Sequence, residues 1–210
     1  MLKKLHQPAD HEYLIPPGLV ILSGNLFSRE IKHYSPAVYM ALVYLGTMFH
    51  NRASFKDKNQ QLYILTGDFL FSHLLKLIND SQHLFLLERF AELITTMNEG
   101  FSTMEELRMK GDSPSEEELI EIMRKQYGVF YGECCALGGL FTGGTEKEQL
   151  LLMEFGKSLG IAYGLKKMGI SYRPQQIMKE GLLALYQLPA SEARSELENF
   201  ARGIIDLSDP

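Results

Sequence analysis

The sequence has 210 residues, of which 45% are hydrophobic and 22% are charged, a composition typical of a globular protein with one sizeable core. The formal net charge of −5 argues against a general nucleic-acid binder, because such proteins present a basic face to phosphate. The two cysteines, Cys134 and Cys135, are adjacent, so they form neither a disulfide framework nor a metal-ligand pattern, and they fit a reducing, cytoplasmic setting.

Neither a secretory signal nor a transmembrane segment is expected. The first six residues turn polar at once and contain no apolar signal-peptide core. The longest nearly apolar run covers residues 37–49, which is too short to cross a bilayer as a helix.

Helix signals follow one another along the first half of the chain. Ser35 and Pro36 combine a capping hydroxyl with a proline in the first turn, and the helix that they open should continue to a polar break at residues 51–61. A second, apolar helix is predicted over about residues 62–78. Residues 79–81, Asn-Asp-Ser, should end that helix and cap a third, amphipathic one.

The second half of the chain contains two capping boxes, in which a hydroxyl and a glutamate three residues later satisfy each other's backbone amides. They are Ser115 with Glu118 and Thr145 with Glu148. Between the two boxes runs an apolar stripe at helical spacing. Gly169 is expected to end the helix that begins at Thr145, and two prolines are expected to open the last two helices: Pro174 and Pro189.

These signals predict an all-α protein. No alternating run is long enough to suggest a sheet, and neither a repeat nor a low-complexity tract interrupts the helical pattern. We therefore expect seven or eight helices in one bundle-like domain that covers residues 1–210.

Residue chemistry alone does not predict an active site. Gly143 and Gly144 precede a helix but lack the Lys-Ser/Thr of a phosphate-binding loop. The six histidines are scattered without metal-ligand spacing. Residues 116–118 are three glutamates in the first turn of a helix, where carboxylates complement the helix dipole, so a solvated cap is favoured over a metal site.

The order of several segments resembles that of the trans-prenyl diphosphate synthases. Residues 66–70, Thr-Gly-Asp-Phe-Leu, are similar to the family's Ala-Gly-Asp-Tyr/Phe-Leu stretch. The family's middle helices are resembled by residues 98–101, 115–127, 132–140 and 155–163. Residues 17–23 resemble an early helix, and residues 185–189 with 191–194 resemble a late helix pair. The resemblance covers nearly the whole chain in the right order, and it implies the single-domain, all-α fold of isoprenoid synthases.

The resemblance also implies two Asp-Asp-x-x-Asp motifs, which hold magnesium on an allylic diphosphate in this family. The three aspartate positions of the first motif are occupied by Asn51, Arg52 and Phe55. Those of the second motif are occupied by Lys167, Met168 and Ser171. Both motifs are therefore interpreted as degenerate, and no metal ligand is assigned.

The family's other phosphate contacts are also reduced. Residues 12–17 stand where the family has Gly-Lys-Arg-Ile-Arg-Pro, and they contain none of its cations. Lys125 matches the lysine of the family's Lys-Thr pair and is a candidate residual diphosphate contact. The resemblance further assigns six candidate tunnel-lining residues: Ala41, Leu42, Leu45, Gly46, Met48 and Phe49.

A chain that resembles the family but lacks its motif aspartates is interpreted as a catalytically silent or regulatory subunit. Such a chain would pair with an aspartate-bearing polyprenyl diphosphate synthase in a heterodimer, as in two-component hexaprenyl and heptaprenyl diphosphate synthases, and would affect activity and product length. No cofactor is expected on this chain and magnesium is expected on the partner, while a prenyl chain is a candidate ligand. Two alternatives stay open, of which one is a helical binding or scaffold protein unrelated to isoprenoids. The other is a true enzyme, either a prenyltransferase with substitute ligands such as Asp57, Asp68, Glu99 or Glu133, or an enzyme with a metal-free activity.

Overall fold

The computed structural model describes residues 12–28, 34–53, 58–170 and 173–205. Within these ranges the chain forms nine α-helices and no strand, so the predicted all-α fold is confirmed. The helices are α1 (Ile15–Gly24), α2 (Ser35–Arg52), α3 (Gln60–Asp80), α4 (Leu86–Lys110), α5 (Glu116–Met123), α6 (Val129–Phe141), α7 (Glu146–Lys167), α8 (Arg173–Leu185) and α9 (Glu192–Ile205). A short 3-10 segment, Glu12–Leu14, precedes α1, and a π-helical segment, Arg124–Gly128, joins α5 to α6.

Local sequence signals account for several helix ends. The Ser115 hydroxyl accepts from the Glu118 amide at 3.2 Å, and the Glu118 carboxylate accepts from the Ser115 amide at 2.8 Å, which completes the capping box of α5. Thr145 and Glu148 form the same box at the start of α7. Gly169 follows α7 with φ +79°, a left-handed conformation that glycine adopts without steric cost.

Four helix predictions differ from the structure. Residues 79–81 end α3 but do not cap the next helix, which begins at Leu86 without a side-chain cap. Ser35 lies inside α2, whose cap position is Tyr34, so its hydroxyl is not the predicted cap.

The last helix begins at Glu192 rather than at Pro189, because the Ser191 hydroxyl accepts the amide of Arg194 at 3.1 Å and acts as the cap. The apolar stripe predicted as one helix after Ser115 is divided into α5, the π-helical segment and α6. That division, together with α1, accounts for nine helices where seven or eight were expected.

The core is centred on α6 and α7, whose backbones approach each other closely. A Cβ atom at Gly156 would lie 2.3 Å from the carbonyl oxygen of Tyr131, and one at Gly160 would lie 2.3 Å from that of Tyr127. Glycine is therefore required at both positions for α7 to lie against α6 and the π-helical segment at this distance. None of the helices within the described ranges is long and apolar enough to cross a membrane.

Candidate functional site

A cavity of about 390 Å³ lies where the C-terminal ends of α2 and α7 meet α4 and the π-helical segment. It is lined by Glu12, Tyr44, Thr47, Met48, Asn51, Arg52, Met97, Phe101, Gln126, Tyr127, Phe130 and Lys167. The structure thus places residues from both predicted motif positions around one cavity, with Asn51 and Arg52 on one side and Lys167 on another. A helix C-terminus carries partial negative charge, which favours the cations Arg52 and Lys167 in these last turns.

The inner wall of the cavity is apolar and largely aromatic. Tyr44 stacks on Phe130 with ring centroids 6.2 Å apart, and Phe101 meets Tyr127 edge-on at 6.3 Å. Tyr127 in turn meets the ring of Tyr163 on α7 at 5.5 Å. These ring contacts hold the wall in one arrangement, because each ring is fixed by a neighbour from a different helix.

The opposite end of the cavity is charged. The Lys167 ammonium donates to Oε2 of Glu12 at 3.0 Å, and the Tyr44 hydroxyl donates to the same oxygen at 3.3 Å. The Lys167 Nζ atom also lies 5.9 Å and 5.5 Å from the ring centroids of Tyr127 and Tyr163, within the range of a cation–π contact. Lys167 is therefore held in place by a carboxylate and two aromatic rings.

The tyrosines around the cavity stay protonated. Burial raises the pKa of the Tyr44 and Tyr163 hydroxyls well above the usual value, and the nearby Glu12 carboxylate raises both further. Burial also raises the pKa of Tyr127, against the opposing effect of the Lys167 ammonium. None of these phenols can therefore act as a general base near neutral pH, but each retains a hydrogen to donate.

One polar group of the wall lacks a partner. Thr47 is only 5% exposed, and its hydroxyl forms no hydrogen bond within the described part of the chain. A buried hydroxyl without a partner is uncommon, because it gives up its bonds to water without replacement. Thr47, a residue of the cavity lining, thus carries a buried hydroxyl that is left unpaired.

No metal centre is formed by the described residues. They contain no group of three or more His, Cys, Asp or Glu side chains arranged to hold an ion. Three of the four candidate substitute ligands are paired elsewhere: Asp68 with His50 at 3.1 Å, Glu99 with Lys125 at 3.0 Å, and the buried Glu133 with Arg89. The fourth, Asp57, lies outside the described residues.

The family model of the polyprenyl synthetases matches residues 51–166. The chain belongs to the polyprenyl synthetase family. The matched region includes the first motif position, the α6–α7 contact and the cavity residues from α4 and the π-helical segment. No match was found among curated proteins.

Solved prenyl diphosphate synthases share the fold at low sequence identity. The decaprenyl diphosphate synthase from Rhodobacter capsulatus is 16% identical, with a TM-score of 0.76 over 96% of this chain and 90% of that one. The geranylgeranyl pyrophosphate synthase from Corynebacterium glutamicum is 15% identical, with a TM-score of 0.78 over 94% and 85%. A deletion mutant of the heterotetrameric geranyl pyrophosphate synthase of mint is 18% identical, with a TM-score of 0.71 over 89% and 81%.

The candidate diphosphate contact of this family member lies away from the cavity. Lys125 pairs with Glu99 and does not line the cavity wall, so its predicted contact with diphosphate stays a prediction. The π-helical segment instead places the next residue, Gln126, at the wall, where its amide nitrogen donates to the carbonyl of Gly100 at 3.0 Å. Single π-helical turns are common at functional sites, since they change the direction of one side chain within a helix.

The remaining predicted site residues fall into three groups. Of the six candidate tunnel residues, Met48 lines the cavity, while Gly46 lies against Phe71 of α3; the tunnel itself stays a prediction. Met168 follows α7 and is half-exposed outside the cavity lining. Two residues lie outside the described ranges: Phe55 and Ser171.

Sequence reasoning missed Glu12 and Thr47. Glu12 was noted only as part of a segment without cations, and its partner Lys167 is 155 positions away in the sequence. Thr47 was absent from the candidate tunnel residues although Gly46 and Met48 on either side were among them. Neither residue is part of a local sequence pattern, because the contacts and burial that make each of them relevant involve helices that are distant along the chain.

Proposed function

We propose that this chain is a non-catalytic subunit that pairs with an aspartate-bearing polyprenyl diphosphate synthase and affects its activity and product chain length. The charge of the cavity carries the proposal. An amide, a guanidinium and an ammonium, from Asn51, Arg52 and Lys167, stand at this site in place of carboxylates. Mg²⁺ is a hard cation that needs oxygen ligands, and two side-chain cations oppose its binding. The carboxylate that lines this cavity, Glu12, is already bound by Lys167 and Tyr44.

Loss of the metal removes the main source of catalysis for this reaction class. Ionisation of an allylic diphosphate requires metal ions that neutralise the charge developing on the leaving group. Lys167 could neutralise part of that charge, but it is already bound by Glu12 at 3.0 Å. The tyrosines supply no base, because burial keeps them protonated. We therefore expect no turnover by the isolated chain.

A surface for a partner lies on α3. Leu62, Leu65 and Phe69 are each more than half exposed, and their spacing places them on one face, which we call the α3 face. The ring of His73 stacks on Phe69 with centroids 6.1 Å apart and extends this face by one turn. Exposed apolar rows of this kind are typical of subunit interfaces.

The occupant that we propose for the α3 face is the aspartate-bearing synthase. One solved structure with this fold, the geranyl pyrophosphate synthase of mint, is a heterotetramer. The chain keeps the fold of the family but lacks the carboxylates that would bind metal ions. An active partner that binds at the α3 face would supply the metal-dependent reaction.

The test is co-expression with an aspartate-bearing polyprenyl diphosphate synthase from the same organism, followed by size-exclusion chromatography. We expect the two chains to elute together, and the double change Leu65→Ser and Phe69→Ser to separate them. Leu150→Ser with Leu183→Ser is the matched control, because both leucines are more than half exposed on other helices, α7 and α8. Separate elution of the unaltered chains, or their joint elution despite the α3 changes, would count against this interface. If this chain alone self-associates through the α3 face, the occupant of that face is a second copy of the chain and not the synthase.

A further inference from the structure

A second cavity, of about 290 Å³, opens where α7 and α8 meet α5 and the π-helical segment. We call it the α7–α8 groove. It shares no lining residue with the cavity at the C-terminal ends of α2 and α7, and no residue of α3 lines it. The groove is therefore separate both from the motif positions and from the proposed partner surface.

Three side-chain cations from three different elements line the groove. Arg124 belongs to the π-helical segment, Lys157 to α7 and Arg173 to α8. Two carboxylates, Glu154 and Glu180, also line it, so the lining carries one net positive charge in a chain whose net charge is −5. Guanidinium and ammonium groups that converge from separate elements suit the anionic oxygens of phosphates and carboxylates.

Two of these cations are accessible and only weakly held by their present partners. Arg124 lies 3.0 Å from a carboxylate oxygen of Glu121, and Lys157 lies 2.9 Å from one of Glu154. The two glutamate side chains are 55% and 62% exposed, so solvent screening leaves each ion pair little net stability. Both glutamates can therefore turn to water when one ligand with several anionic oxygens contacts both cations.

Neighbouring groups hold the other parts of these side chains in position. A Cβ atom at Gly132 of α6 would lie 2.9 Å from Cγ of Lys157, so the lysine stem lies directly on the backbone of α6. The Arg173 guanidinium donates to Oε1 of Gln176 at 2.6 Å, and its Nε atom lies 2.6 Å from Glu116. These contacts leave further N–H donors on the same guanidinium. Cations that are already positioned lose less conformational freedom when they bind a ligand.

We propose that the α7–α8 groove binds a small, multiply charged organic anion through Arg124, Lys157 and Arg173. Its volume lies just below the range of about 300–1,000 Å³ that is usual for small-molecule sites, so the ligand is small. Phosphate esters and carboxylates share the required chemistry, because both present anionic oxygens to these donors. A bound anion would join α7, α8 and the π-helical segment and would stabilise the folded chain. This binding is a property of the chain itself and goes beyond the proposed pairing with a synthase.

The test is isothermal titration calorimetry on the purified full chain at constant ionic strength, without added divalent cations. Phosphoenolpyruvate and citrate are the probes, since both carry several anionic groups and only the first contains a phosphate. Acetate, with a single carboxylate, is the control. We expect at least one probe to bind saturably and to raise the melting temperature, and acetate to do neither. Absence of saturable binding by both probes, or equal binding by acetate, would overturn the proposal.

Variants within the groove test the assigned contacts. Arg124→Met and Lys157→Met should each weaken binding by about tenfold, and Lys157→Arg should retain it. Glu180→Gln should tighten binding by about threefold, because it removes a negative charge from the lining.

The matched controls are Lys147→Met and Lys167→Met. Both remove one cation from α7 outside the groove, and the second also tests the other cavity, so each should leave the affinity unchanged. Circular dichroism of each variant would show that the fold is kept. If Lys147→Met weakens binding as much as Lys157→Met, or if Lys167→Met alone abolishes it, the anion does not bind in the groove and the proposal is wrong. Titration without a partner, and elution without a ligand, keep a failure here distinct from a failure of the proposed pairing.

Discussion

Two regions along α7 illustrate how differently one helix serves packing and chemistry. In its middle, Gly156 lies directly against the backbone carbonyl of Tyr131 in α6, and Gly160 lies against that of Tyr127 in the π-helical segment. The contact of α7 with both elements therefore depends on the absence of a side chain. At its end, Lys167 projects into the cavity and is held by Glu12. The family match includes both the glycines and α7 up to residue 166, while the motif positions at the cavity lack carboxylates. The residues that determine the packing of the fold are therefore distinct from the residues that would bind metal ions.

The largest effect is expected from Gly156→Ala in the α6–α7 contact. The new Cβ would meet backbone atoms of Tyr131 and Gly132, which cannot move aside like the tip of a side chain. We expect a loss of about 3 kcal/mol in the free energy of unfolding, measured by urea denaturation. Gly203→Ala is the control, because its Cβ meets nothing within 4 Å in α9, and it should stabilise the chain by up to about 1 kcal/mol. Similar effects at both positions would contradict the account of this contact.

The next effect concerns the ion pair of Arg89 with Glu133, which joins α4 to the buried face of α6. Arg89→Met would leave the carboxylate buried without its cation, at an expected cost of about 2 kcal/mol near neutral pH. This is below the usual 3–5 kcal/mol for breaking a buried pair, since the guanidinium is 31% exposed. Arg89→Met with Glu133→Gln should recover most of the loss. A double variant as unstable as the single one would point to the arginine's packing instead.

The same variant should be sensitive to pH. Burial raises the pKa of Glu133, and Arg89 lowers it in part, so the Arg89→Met variant should have a still higher pKa at this carboxyl. Because the folded state then favours the protonated form, the variant's stability should be lower above the raised pKa and should recover as the pH falls through it. Unfolding free energies compared between pH 7 and about pH 5 would measure this recovery. A loss that grows toward acid pH would contradict the assigned cause.

A smaller effect on stability is expected at the charged end of the cavity. Lys167→Met removes an ion pair whose lysine is 40% exposed, and solvent screening limits such pairs to about 1 kcal/mol or less. Urea denaturation should therefore separate this variant clearly from Gly156→Ala. A loss as large as that of Gly156→Ala would mean that the charged end belongs to the folding core rather than to a binding site.

The smallest effect is expected from restoring one aspartate motif. Asn51→Asp, Arg52→Asp and Phe55→Asp together should give no prenyl-transfer activity, because Lys167 would still stand at the second motif position. Catalytic groups that act as a unit give little when only one half is present. Product analysis with Mg²⁺, allylic diphosphate and isopentenyl diphosphate would measure this. Activity recovered by these changes alone would show that the second site has been assigned to the wrong residues.

The helices could be predicted from the sequence where the signal is local. The capping boxes at Ser115 and Thr145, and the glycine at position 169, form within a few residues of the chain and appear as expected. Pro189 failed as a helix start because the hydroxyl of Ser191, two positions later, caps α9 instead. The π-helical segment was not predicted, since the apolar period continues through it and its effect is to reorient Gln126.

The site could be predicted only in part. The resemblance pointed to Asn51, Arg52 and Lys167, and the structure places all three around one cavity. The contact of Lys167 with Glu12 joins residues that are 155 positions apart and leaves no periodic or spacing signal. The unpaired hydroxyl of Thr47 is equally invisible in a sequence, because it depends on the burial of an atom and on the lack of a partner.

Reconstitution of prenyl transfer tests the proposed role of this chain most directly. Product formation would be compared for this chain alone, for the aspartate-bearing synthase alone and for the two together, with Mg²⁺ in each case. The account predicts no product from this chain alone, and a mixture that differs from the lone synthase in rate and in product chain length. Sustained, magnesium-dependent product formation by this chain alone, or a mixture identical to the lone synthase, would contradict it.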